Sequence, residues 1–233
     1  MLCIFVLLAG LGLWQLDRAE QKRQLLDRYE LKAGTERIRL GGRMEVDSAL
    51  RYQPAEVQGV MDTTHQFLLD NKVDQGRVGY HVLTPVRIAH SRSAVLVNRG
   101  WVPLGATRQQ LPELPAPAGS VVLTGILDIP PDKVFVLGEG EDRDPGWPKV
   151  LQRIRLDLQQ TQLGYPLLPA VLLLDPEQPY GFARDWRPVV FGPERHVGYA
   201  FQWFSLATAL VIIYLVLNTR RVAGGNPPGG PPQ

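Results

Sequence analysis

AFQWFSLATALVIIYLVL, residues Ala200 to Leu217, decides the architecture. Its polar side chains are only Gln202, Ser205, Thr208 and the tips of tyrosine and tryptophan, and no charge interrupts it. At 1.5 Å per helical residue the run reaches roughly 27 Å, close to a hydrocarbon core of about 30 Å. It predicts a membrane-spanning helix. A second apolar run, Met1 to Leu16, has Gln15 as its one polar side chain. It reaches about 24 Å, which implies local bilayer thinning or a start upstream of Met1. The run lacks the basic leader and small-residue cleavage site of a signal peptide, and Leu11 stands where a lipoprotein would carry its lipidated cysteine. Trp14 near its end is an indole suited to headgroup depth. An uncleaved anchor is the expectation.

Asn218-Thr219-Arg220-Arg221 abuts the second run with no acid after it, and short basic flanks stay in the cytoplasm. With two spans, both termini are then inside and the long middle segment is outside. The expected organisation is a first transmembrane helix over 1–16, a helical extension over 17–33, an extracytoplasmic β-rich domain over 34–199, a second transmembrane helix over 200–217 and a cytoplasmic tail over 218–233. That tail ends Gly/Pro-rich and is expected to be disordered. The 233 residues carry 45% apolar side chains and a net charge of only +2, which fits a folded domain and gives no basic stripe for nucleic acid. The single cysteine, Cys3, lies in the first apolar run. The outer domain therefore has no disulfide, no thiolate zinc site and no thiol pair for copper, and Met44 and Met61 have no useful spacing for that metal.

Asp17 to Lys32 alternates charges around Leu25, Leu26 and Tyr29 without a breaker, so the first helix continues outward until Gly34. Beyond it come short β-rich runs, predicting strands at about 36–43, 64–72, 80–88, 94–102, 121–127, 150–155 and 168–174, with one short helix over Asp157 to Gly164. The fold class is two transmembrane α-helices flanking a β-rich α+β domain whose antiparallel sheet is barrel-like or a sandwich. Gly138-Glu139-Gly140-Glu141-Asp142 has the glycines of a phosphate loop, but its acids would repel an anion; it reads as a solvated loop. No serine sits on a Gly-x-Ser-x-Gly turn, and His65, His81 and His90 lack the spacing of a metal site. No catalytic residues are assigned, and the chain is not expected to be an enzyme.

Two antiparallel spans bring the end of the first and the start of the second to one interface. Trp14, Gln15 and Arg18 then lie at the depth of His196, Tyr199, Gln202 and Trp203. His196, Tyr199, Ala200, Trp203 and Ala207 share one helical face. A neutral imidazole can ligate haem iron while indole and phenol rings cover the macrocycle, and Arg18, Arg184, Arg187 and Arg195 are near enough in sequence to pair with propionates. The same residues also fit an ordinary interfacial aromatic belt with a solvated histidine.

Four stretches carry a resemblance. Leu11-Gly12-Leu13-Trp14-Gln15-Leu16-Asp17-Arg18 is followed by Lys22; then come Gly79-Tyr80-His81-Val82-Leu83-Thr84-Pro85, Val97-Asn98-Arg99-Gly100-Trp101-Val102-Pro103 with Arg108, and Arg195-His196-Val197-Gly198-Tyr199-Ala200-Phe201-Gln202-Trp203-Phe204. In this order, and with two spans, the chain resembles the surfeit locus protein one family, whose members assist assembly of cytochrome c oxidase. The resemblance implies that the partner is the oxidase catalytic subunit, with haem synthesis or delivery proteins as further partners. It implies haem a as cargo and His196 as its ligand, within a patch of His196, Tyr199, Gln202, Trp203, Trp14 and Gln15. Lacking a mitochondrial transit peptide, the chain is expected in a bacterial plasma membrane. The competing reading is a cofactor-free scaffold that stabilises an oxidase assembly intermediate; a tethered hydrolase ranks last. For the Asn98-Arg99-Gly100-Trp101 motif the expectation is structural, a buried Trp101 with Arg99 satisfying loop carbonyls.

Overall fold

The computed structural model describes residues 2–42, 44–105, 107–108, 110–130, 146–186 and 192–223; Arg43, Arg187, the acidic stretch 138–142 and the tail 224–233 lie outside them. The chain divides into a helical unit, residues 1–28 with 187–233, and a sheet unit, Tyr29–Trp186.

Two helices dominate the first unit. Helix α1, Leu2–Ala33, is one uninterrupted rod that ends before Gly34, as the absence of a breaker predicts. The last long helix, α3 (Pro193–Ala223), starts earlier and finishes later than the apolar run alone implied. Proline opens it because a fixed φ suits the first helical turn and no N–H partner is needed there. Both helices are long and apolar enough to cross a membrane. Ile212, Ile213, Leu215 and Leu217 are each more than half exposed, an apolar surface that water does not tolerate in bulk. Across the pair, the residues turned inward on α1 are Phe5, Leu8, Gly12, Gln15 and Ala19, and on α3 they are His196, Ala200, Trp203, Phe204 and Ala207. The steps of three and four residues make a single seam on each helix. Small residues let the helices approach, with Ala19, Ala200 and Ala207 almost fully buried. At Gly12 a Cβ would sit 2.7 Å from the Phe204 ring. Gly12 meets Phe204 while Gln15 meets His196, so the two helices run antiparallel.

The sheet unit contains eight strands: β1 (Ile38–Arg39), β2 (Pro54–Met61), β3 (Phe67–Asp74), β4 (Arg77–Ile88), β5 (Ala94–Pro103), β6 (Ser120–Asp128), β7 (Lys149–Leu151) and β8 (Leu167–Leu174). Their order is β1-β2-β6-β8-β5-β4-β3-β7, and β2 also pairs with β4 through Gly59–Ile88, Val60–Arg87 and Met61–Val86. Pairing therefore returns to its starting strand around β2, β6, β8, β5 and β4. The expectation of an antiparallel sheet needs correction: β1–β2, β3–β7 and β5–β8 are parallel, so the sheet is mixed. The long excursion from β5 to β8, through β6, β7 and a helix, permits a parallel return that a hairpin cannot make. That helix, α2 (Leu156–Leu163), closes on Gly164 in the left-handed conformation at φ 73°, which glycine adopts without a Cβ penalty.

Strand β2 was not predicted. Its Pro54, Glu56, Gln58 and Gly59 disguise an alternation that buries Ala55, Val57 and Met61. The predicted strand over 36–43 shrinks to Ile38–Arg39. The one expected from 64 begins only at Phe67, because the Asp62 carboxylate accepts the N–H groups of Thr64 and His65 and turns the chain there. The one over 150–155 stops at Leu151, since Arg155 is already the N-cap of α2.

Every residue of β5 but Pro103 is buried. Val95 and Val97 enter one core cluster, with Val57, Leu123, Leu172 and Leu174. Ala94 and Leu96 enter a second layer under α2, with Phe67, Leu83 and Val171. A strand covered on both faces reads as a continuous apolar run, not as an alternation. Close strand approach is set by glycine: a Cβ at Gly125 would lie 2.1 Å from the Leu173 carbonyl oxygen, and one at Gly59 2.1 Å from that of Arg87. Gly125→Val should therefore destabilise the protein by at least about 2 kcal/mol in a thermal or denaturant melt, whereas Val122→Thr on the exposed face should stay within roughly 0.5 kcal/mol.

Candidate functional site

In the helical unit, His196 and Gln15 come together: the ring Nδ1 lies 2.8 Å from Gln15 Oε1. A carbonyl oxygen only accepts, so the imidazole donates from Nδ1 and, when neutral, keeps its Nε2 lone pair free. That is the tautomer a metal-ligating histidine adopts, with its second nitrogen oriented by an acceptor. Trp203 is half-buried on the same seam, while Gln202 is exposed. Tyr199 and Trp14 are exposed at 43% and 49%, turned out of the seam. Arg18 lies over the Trp14 ring at 5.6 Å and donates to Gln21.

Arg184 belongs to the sheet unit, and its guanidinium donates to the carbonyls of Asp175, Pro176, Gln178 and Phe182. Nε, Nη1 and Nη2 are all engaged, so the Arg184 guanidinium is committed to carbonyls of the sheet unit itself. Among the described residues no three His, Cys, Asp or Glu side chains form a metal-binding group.

The Asn98-Arg99-Gly100-Trp101 motif occupies the end of β5. Arg99 is 1% exposed and has no carboxylate partner among the described residues; it donates to the carbonyls of Tyr180 (2.7 Å) and Pro115 (2.5 Å) and to Gln66 Oε1 (3.2 Å), and lies 4.8 Å from the Phe182 ring centre. Burial, with the nearby Arg184 charge, lowers its pKa to about 10, so it stays charged at neutral pH. Trp101 is buried, with Nε1 donating to the Lys72 carbonyl at 3.1 Å. The structural reading of this motif is what the fold shows. Gly100, at φ 111°, allows the segment 182–183 to lie against it, since a Cβ there would be 2.6 Å from the Ala183 carbonyl oxygen.

Beside the motif, on the face of the sheet partly covered by α2, opens a cleft of about 1040 Å³. Leu69, Val171, Leu173, Ile154 and Trp186 supply its apolar wall; Lys72, His81 and Asn98 supply polar groups. The cleft joins residues from separate elements and is not announced by local sequence, although His81 and Asn98 each lie within a stretch that carries the family resemblance. Asn98 Oδ1 accepts the Gly100 N–H at 3.1 Å, which turns the amide Nδ2 toward His81 Nδ1 at 3.2 Å. His81 must accept there, so its proton sits on Nε2. Its tautomer is the reverse of that at His196. The ring also meets Trp186 edge-on at 5.5 Å.

Burial, aided by the Lys72 charge, lowers the His81 pKa to about 4. Between an ordinary histidine value near 6.5 and about 4, the unfolded chain takes up a proton that the folded chain refuses, so stability falls as pH drops through that window. Nitrogen-15 NMR of the imidazole should show the neutral Nε2–H form persisting to about pH 5, with half-protonation near 4.

The comparisons with known proteins agree with one another. The chain matches the SURF1 family model over residues 2–208. It is 23% identical over 241 residues to a SURF1-like protein of Monosiga brevicollis, covering 98% of this chain and 89% of that one. A SURF1-like protein of Rickettsia conorii is 24% identical over 242 residues, covering 94% and 90%. Surfeit locus protein 1 of Mus musculus is 29% identical over 151 residues, covering 58% of this chain and 49% of the mouse protein. With the family pattern running from the first helix into the last, the chain belongs to the SURF1 family.

Proposed function

We propose that this protein is a two-span membrane assembly factor for cytochrome c oxidase that holds haem a through His196 and presents it to the catalytic subunit. The oxidase assignment rests on family membership and on the four motifs in register. The ligand assignment rests on one observation: the His196–Gln15 hydrogen bond at 2.8 Å, which keeps Nε2 of a neutral imidazole available. That donor chemistry fits an axial iron ligand. The same acceptor would hold the ring in orientation and strengthen its basicity, as partners behind metal-bound histidines do. Trp14, Tyr199, Gln202 and Trp203 are then the remaining parts of the haem-contacting patch, Trp203 half-buried on the ligand's seam and the other three exposed.

We read the sheet unit as extracytoplasmic and both termini as cytoplasmic, in a bacterial plasma membrane. The support for this orientation is Arg220-Arg221, which follows the second apolar run after Asn218-Thr219, since short basic flanks remain inside. The return of strand pairing to β2 supports reading the sheet as a small barrel.

The experiment is to purify the protein from cells that make haem a and record the Soret band. The parent should carry haem; His196→Ala should lose the ligation signature; Gln15→Leu, which keeps the imidazole but removes its orienting acceptor, should weaken haem retention about 10-fold or more. A Soret band unchanged in His196→Ala would overturn the ligand role. Undiminished oxidase assembly in the same variant would favour the cofactor-free scaffold.

A further inference from the structure

The cleft of the sheet unit has two kinds of wall that point to one class of ligand. Its apolar side is continuous with the layer packed under α2: Val171 belongs to that layer and Leu173 and Ile154 pack against it, yet all three also line open space. A volume of about 1040 Å³ is ample for a small molecule. On the polar side the Lys72 ammonium makes no ion pair among the described residues, and it lies near enough to His81 for its charge to act on the ring. Because Asn98 takes the Nδ1 lone pair, His81 offers an N–H from Nε2 and no lone pair. This imidazole donates; it does not ligate.

We propose that the cleft binds a monoanionic carboxylate carried on a flat apolar body, the carboxylate accepting from Lys72 and His81 Nε2–H and the body lying against Trp186, Leu173 and Val171. One ammonium and one neutral N–H match the two oxygens of a carboxylate. A phosphate dianion fits less well, because the carboxylates of Asp128 and Asp157 line the cleft alongside Arg153, and Arg155 is already held by Asp157 at 3.2 Å. A cation is disfavoured by Lys72, and a transition metal by the protonated Nε2. This site is separate in its residues from the His196 patch and does not depend on haem binding there.

The test uses the full chain in phosphatidylcholine nanodiscs, titrated calorimetrically with 2-naphthoate and with naphthalene-2-carboxamide, which has the same ring system without the charge. Naphthoate should bind saturably at one site, and the carboxamide at least about 10-fold more weakly, as expected for loss of a charge-assisted contact. Lys72→Gln should bring naphthoate down to the level of the carboxamide, and Leu173→Trp, which fills the cleft, should weaken both. Equal binding of the two probes overturns the proposal. So does unchanged naphthoate affinity in Lys72→Gln, or heat that never saturates and is the same in Leu173→Trp, which is partition into lipid. The Soret band of haem-loaded Lys72→Gln should match that of the parent, which separates failure of this site from failure of the haem assignment.

Discussion

A guanidinium taken wholly out of water must find its hydrogen bonds in the protein, and Arg99 finds them in carbonyls supplied by segments far apart in the chain. Leaving such a charge without partners costs several kcal/mol, so the loops that carry Pro115 and Tyr180 and the side chain of Gln66 are constrained to converge on it. None of those partners is an acid. The charge is met by dipoles, which fixes geometry through several directional bonds instead of one ion pair. Because successive residues of a strand face opposite sides, the same motif acts on both faces of β5. Arg99 fastens loops on one face, while its neighbour Asn98 sets the proton position of His81 on the other.

Much of this was legible in the residues, and the failures have physical causes. The two long helices were readable because apolar length and the lack of breakers are local properties; only their ends shifted, by the helical turns around Pro193 and beyond Leu217. The short α2 was readable because a glycine marks its end. Strand β2 escaped because a proline, a glycine and outward polar residues broke the pattern that its three buried side chains follow. The parallel pairings escaped because register and direction between β5 and β8 depend on how a long connection folds back. Within the helical unit, two antiparallel spans place His196 and Gln15 at one level, but only coordinates could show that an amide oxygen meets the ring. The cleft was hidden for a further reason: Lys72, His81, Asn98 and Trp186 come from separate elements, and nothing in their local sequence announces a shared wall.

The contrast between the two histidines turns on the end of an amide that each one meets. At Gln15 it is the oxygen, so His196 donates from Nδ1 and, when neutral, carries its lone pair on the far nitrogen. At Asn98 it is the nitrogen, held that way round by the Gly100 N–H, so His81 accepts at Nδ1 and its far nitrogen remains an acid. Two identical side chains thereby acquire opposite chemical capacities without any change of charge. Glutamine and asparagine are the selectors, and a search for histidines alone would not have distinguished them.

The ends of the strand order are β1 and β7, two and three residues long, both paired in parallel to longer neighbours. An extended row of unsatisfied amides invites another polypeptide to dock and propagate, and rows this brief offer almost no template for it. Encounters between copies of the unit should thus be poor seeds for fibrous aggregation through these two margins.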